Sequence, residues 1–133
     1  MLNISAQSDY GIMIIEDLLD KKGFISLTEL TGKTELPKRY LARIAAVLAN
    51  NGVLESREGK IGGYKLSAKA KKINLYDYLR IFEGDMALVK CQKDGYNCPW
   101  NKLCQHKTFL RGTLGRILTS EMKKYRLLDL IKN

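Results

Sequence analysis

Residues 36–67, LPKRYLARIAAVLANNGVLESREGKIGGYKLS, leave little freedom in how the chain can fold. Pro37 suits the first turn of a helix, where its missing N–H is not needed. From Pro37 to about Asn50, Tyr40, Leu41, Ile44, Val47 and Leu48 recur at helical spacing and make one apolar stripe. Lys38, Arg39, Ala42, Arg43 and Ala46 fall on the other side. Asn51-Gly52 stops the helix with residues that tolerate left-handed backbone. Val53–Ser56 alternates as a strand, Arg57–Gly63 turns through three glycines, and Tyr64–Leu66 returns.

What precedes this stretch is helical. Ser8 or Asp9 can cap a first helix carrying Tyr10, Met13, Ile14, Leu18 and Leu19 on one face. Lys21-Lys22-Gly23 ends it. Phe24-Ile25 reads as a short strand, and Ser26 with Glu29 forms a capping box for a second helix that closes at Gly32. Two helices, a turn, a third helix and a β-hairpin make the order of a winged helix-turn-helix. Its third helix enters the major groove and its hairpin lies along the backbone or minor groove. Small Ala42 and Ala46 allow close approach to the groove floor, Lys38, Arg39 and Arg43 reach phosphates or guanine edges, and Arg57 or Lys60 enters the minor groove.

Charge agrees with a polyanionic partner. The formal net charge is +9, and residues 36–65 hold Lys38, Arg39, Arg43, Arg57, Lys60 and Lys65 against Glu55 and Glu58. Hydrophobic residues make up 45% of the 133, enough for a packed core. No apolar run approaches a membrane span, and the N-terminus lacks the pattern of a signal peptide, so a cytoplasmic protein is expected. No phosphate loop, Ser-His-Asp set or paired-carboxylate site stands out, which argues against an enzyme.

After a basic connector, Asn74 caps a short helix with Asp77 at the capping-box position, and Glu83-Gly84-Asp85 breaks it. The stretch Cys91–His106, CQKDGYNCPWNKLCQH, then holds all three cysteines of the chain and its only histidine. Six residues separate Cys91 from Cys98, five separate Cys98 from Cys104, and one separates Cys104 from His106. Such spacing suits a loop wrapping one soft metal centre and differs from the tight Cys-x-x-Cys knuckles of common zinc sites. Zinc held by Cys91, Cys98, Cys104 and His106, and three thiols with no metal, stay open beside an iron–sulfur cluster. From about 107 to 131, apolar residues at every third or fourth position predict one long helix of about 37 Å, more than so small a domain can cover. Its natural partner is the same helix of a second subunit.

The fold class is therefore mostly α with a small β-hairpin: a winged helix-turn-helix domain over 1–72, then 73–133 with a cysteine loop (90–106) and a dimerisation helix (107–131). SDYGIMII at 8–15, the segment 36–67 and the three cysteines ahead of a long helix together resemble bacterial regulators of the IscR and NsrR type. These are winged-helix dimers that carry an iron–sulfur cluster, 2Fe-2S or 4Fe-4S. The resemblance spans essentially the whole chain. It implies a homodimeric transcription factor, a repressor, on a palindromic double-stranded operator, with redox state, nitric oxide or iron–sulfur supply as the signal. It implies Lys38, Arg39, Tyr40, Arg43, Arg57, Lys60 and Gly62 as the DNA-contacting set, and Cys91, Cys98 and Cys104 as cluster ligands. The fourth ligand is Asp9 from the partner subunit or, alternatively, His106. The first cysteine spacing is one residue longer than is common in these regulators, and His106 comes one residue early. A regulator of the same fold with structural zinc or no metal, answering to a small molecule or a partner protein, is the alternative.

Overall fold

The computed structural model describes residues 3–131. Helices α1 (Ala6–Leu19), α2 (Leu27–Thr31) and α3 (Lys38–Asn50) lead into an antiparallel hairpin of β1 (Leu54–Arg57) and β2 (Gly63–Leu66). Then come α4 (Leu75–Glu83), the cysteine loop, a π-turn (Phe109–Thr113) running into α5 (Leu114–Lys123), and α6 (Leu127–Ile131). This is the winged helix-turn-helix order expected from the sequence.

One core joins these elements. It gathers Ile14, Ile15 and Leu18 of α1, Leu41, Ile44, Ala45 and Leu48 of α3, Val53 and Leu54 at the wing's base, and Tyr78 and Leu79 of α4. The apolar stripe of α3 turns inward, which forces Arg39, Arg43 and Ala46 to solvent. In the hairpin Leu54 pairs with Leu66 and Arg57 with Gly63, so residues 58–62 form the wing tip. Gly63 is required where it stands. Its φ is +145°, and a Cβ there would run into the Ile25 carbonyl.

The structure corrects the sequence reading at three places. First, α1 begins at Ala6 with Ser5 as its cap, not at Ser8 or Asp9; Ser5 Oγ accepts from Ser8 N–H at 3.3 Å. Ser8 is fully buried and its hydroxyl is committed to α4 instead. Second, Phe24-Ile25 is no strand but a single bridge, in which Ile25 and Tyr64 exchange two backbone bonds of 2.9 Å. Third, the helix expected over 107–131 is broken. After Lys123 the chain turns, Asn74 bridges Arg126, and Leu75 N–H and Leu127 N–H donate to the carbonyls of Tyr125 and Ile73 at 2.9 Å. Leu127 (2% exposed) and Leu128 (8%) enter the main core. Burying two leucines is worth about 3–6 kcal/mol, more than the few backbone bonds a straight helix would keep through the break.

Candidate nucleic-acid interface and thiol cavity

The third helix presents Arg39 and Arg43 to solvent, with Lys38 at its first turn. Lys38 Nζ donates to Thr28 Oγ1 at 2.8 Å, tying the start of α3 to α2 and fixing the angle between the two helices. Tyr40 is half-buried and meets Tyr10 edge-on at 5.7 Å, so it orients α3 on α1 as much as it faces outward.

On the wing, Lys60 is exposed. Arg57 is not free at the tip, as the sequence suggested. Its guanidinium lies 4.2 Å over the Phe24 ring and donates to the Ile61 carbonyl at 3.2 Å. The cation–π contact and a directed N–H make Arg57 a brace for the hairpin's shape. Gly62 is buried, and a Cβ there would strike the Arg57 carbonyl, so it closes the wing turn. Lys65 pairs with Glu55 at 3.3 Å.

The loop brings Cys91, Cys98 and Cys104 to one cavity of about 270 Å³, whose wall also holds Lys107 and Arg111. All three are free thiols and partly accessible. The adjoining hollow is lined by the same three cysteines and by His106, Trp100 and Leu103. Among the described residues no three His, Cys, Asp or Glu side chains stand close enough together to hold an ion as they are. The donor types nonetheless suit a soft metal or an iron–sulfur group: three thiols line one cavity, and Lys107 and Arg111 share its wall. His106 is exposed at the rim. Asp9 lies exposed in the first turn of α1 and lines neither hollow.

A polar network that the sequence did not announce lies beside Asp9. Glu83, the last residue of α4, accepts on Oε1 from Ser5 N–H (2.9 Å), Ser5 Oγ (2.8 Å) and Ser8 Oγ (2.5 Å). Tyr78, fully buried, donates to the Ser8 carbonyl at 2.7 Å. Burial works to raise the Glu83 carboxyl, but the Ser8 hydroxyl and the two Ser5 donors outweigh it and hold it below its ordinary value. Burial pushes the Tyr78 phenol well up, with the charges of Asp9 and Glu83 adding to the effect. Ser5 and Glu83 are 78 residues apart, so no local pattern could have joined them. Among the described residues, no helix is long and apolar enough to cross a membrane.

Comparison with known proteins agrees with this architecture. The HTH-type transcriptional regulator CymR of Bacillus subtilis is 30% identical over 95 residues, covering 70% of this chain and 69% of the relative. The regulator NsrR of Bacillus licheniformis is 24% identical over 135 residues, covering 99% and 94%. The solved structure of B. subtilis CymR, described as the global cysteine regulator, superposes with a TM-score of 0.70 at 26% identity over 98% of this chain and 96% of that one. T. potens IscR shares the fold, with a TM-score of 0.66 at 23% identity over 98% and 87%. Residues 4–133 match the Rrf2 family, described as iron-dependent transcriptional regulators. With the helix-turn-helix, the wing and the trailing helices accounted for over nearly its whole length, the chain belongs to the Rrf2 family of transcriptional regulators.

Proposed function

We propose that this protein is a homodimeric repressor whose grip on a palindromic operator is governed by an iron–sulfur cluster held by Cys91, Cys98 and Cys104. The observation that carries the proposal is the convergence of all three thiols on one cavity beside Lys107 and Arg111. When bound, such a group supplies a redox- and ligand-sensitive centre whose loss is the signal. The chain's own residues do the rest. Lys107 and Arg111 offset thiolate charge, and Trp100 and Leu103 cover the adjoining hollow. Asp9 of the partner subunit is the preferred fourth ligand because it sits in the first turn of α1, joined through Ser8 and Glu83 to the helix that leads into the loop. His106, at the rim, is the alternative. Dimerisation uses the π-turn and α5, where Phe109 (51%) and Ile117 (54%) stand exposed. Lys38, Arg39 and Arg43 contact the major groove and Lys60 the minor groove, while Arg57 and Gly62 hold the wing in shape.

A cluster-free regulator is the second reading, supported by the match to CymR, described as a cysteine regulator. Anaerobic purification with an absorbance spectrum and iron, sulfide and zinc counts separates the two. A brown protein with iron and sulfide is expected. A colourless protein with stoichiometric zinc overturns the cluster in favour of a structural metal, and a metal-free one favours the CymR-like reading. In the brown protein, Asp9→Ala is expected to bleach the absorbance faster in air than His106→Ala; the reverse order assigns the ligand to His106. Arg43→Ala is expected to weaken operator binding by about 1–3 kcal/mol and lower its salt dependence. Unchanged affinity at moderate salt would remove α3 from the interface.

A further inference from the structure

Gln92 directly follows the first thiol, in the short helical turn Lys90–Gln92. Its side-chain amide is used at both ends. Oε1 accepts from the backbone N–H groups of Leu88 and Val89, the latter at 3.2 Å. Nε2 donates to the carbonyls of Leu110 and Arg111 at 2.7 and 3.3 Å. Both carbonyls belong to the π-turn Phe109–Thr113. A change from i→i+4 to i→i+5 pairing leaves carbonyl acceptors without an α-helical partner, and an inserted side chain satisfies them.

The helix supplies a second, independent observation. A Cβ at Gly115 would sit 3.0 Å from Gln92 Nε2. A poor helix former thus stands in α5 where the amide needs the space. Arg111 links the two features, because it lines the thiol cavity with Cys91 and, with Gln92 and Gly115, the groove behind it.

We infer that Gln92 is the positioning residue of the thiol cavity: it clamps the loop to the π-turn and so fixes Cys91 against the helix face carrying Lys107 and Arg111. Its use in holding a cluster rests on the function proposed above, but the clamp belongs to the metal-free chain and is tested there. The amide must donate and accept at once. Glutamate at this position keeps the length and the acceptors but turns a carboxylate onto two carbonyls. Alanine at 115 makes the amide give by a few tenths of an ångström, straining its bonds to the two carbonyls, while favouring the helix itself.

The test is pulsed alkylation of the metal-free full chain with iodoacetamide at one fixed pH, read for each cysteine by mass spectrometry. In Gln92→Glu, Cys91 is expected to react about tenfold faster, from the loss of two hydrogen bonds to local opening, and in Gly115→Ala about two- to threefold faster, while Cys98 and Cys104 stay near wild-type rates in both. In a Gln92→Ala background, adding Gly115→Ala is expected to change nothing further. Wild-type rates at Cys91, equal acceleration at all three cysteines, or an undiminished effect of Gly115→Ala without the amide would each overturn the inference. Iron and sulfide counts on the wild-type protein are read separately. A protein without iron defeats the cluster and leaves the Cys91 rates decisive for the clamp.

Discussion

Glutamine at position 83 would remove a charge and change almost nothing else. The Glu83 carboxylate ends α4 and takes three hydrogen bonds from the start of α1, all on Oε1. A hydrogen bond to a charged acceptor is worth about 1.5–3 kcal/mol, and a carboxylate at a helix N-terminus adds about 0.3–1 kcal/mol. Three donors crowding one oxygen do not add, and the amide oxygen of glutamine keeps part of the interaction. We therefore expect Glu83→Gln to cost about 2 kcal/mol at neutral pH, measured by urea unfolding. The pH dependence identifies the charge as the cause. The folded carboxyl is held below its ordinary 4.5. Its contribution is therefore complete above 4.5 and is lost as the pH falls through the lower, folded value. The gap between wild type and Glu83→Gln should be full near neutrality and close progressively in acid. A gap of constant size across that range would refute the role of charge, and no gap at neutral pH would refute the network's contribution altogether.

Two further expectations concern the core. Leu127→Ala should destabilise the protein by about 2–5 kcal/mol in the same unfolding assay, because the side chain is 2% exposed; a loss of a few tenths would mean that α6 is not part of the core. Gly11→Ala should cost about 1–3 kcal/mol, since the new methyl meets the Tyr78 hydroxyl and lies 3.1 Å from Phe82. In a Tyr78→Phe background, which already lacks the hydroxyl and its bond to the Ser8 carbonyl, Gly11→Ala should cost less, and an undiminished cost there would place the clash elsewhere.

Local chemistry made most of the fold legible. The capping pairs Ser26–Glu29 and Asn74–Asp77 are present, each with the side chain accepting from the third residue on. The inward stripe of α3 and the glycine wing lie within two residues of where spacing put them. The break at Lys124–Arg126 was not legible, because Leu128 and Ile131 continue the three-to-four spacing and no Gly or Pro marks the stop. Only the distant carbonyl of Ile73 and the core beyond it end the helix there. Arg57 shows the same limit. Its position at the wing was readable, but the Phe24 ring that holds it comes from a segment more than thirty residues upstream. In the cysteine loop, the soft-donor residues could be named from spacing. Their place around one cavity with Lys107 and Arg111, and the amide of Gln92 beside them, depend on a π-turn that no periodicity reports.

These long-range contacts bear on how the thiol cavity and the helix-turn-helix are joined. The loop leaves α4 at Gly84, directly after Glu83, and the chain returns to the core through Leu127. Between these points α5 has no buried residue and rests on α4. The segment is thus held at both ends: α4 is tied to α1 by the Ser5–Ser8–Glu83 network and the Tyr78–Ser8 bond, and the chain after α5 is tied to the start of α4 by the bridge at Asn74 and Arg126. Asp9 follows Ser8 in the helical turn that Glu83 holds, so the network that anchors α4 also sets the direction in which Asp9 faces solvent. If Asp9 of the partner subunit completes the thiol set, Glu83→Gln should make the bound group more labile without touching any ligand. If His106 completes it, the same substitution should lower stability and leave the lability unchanged.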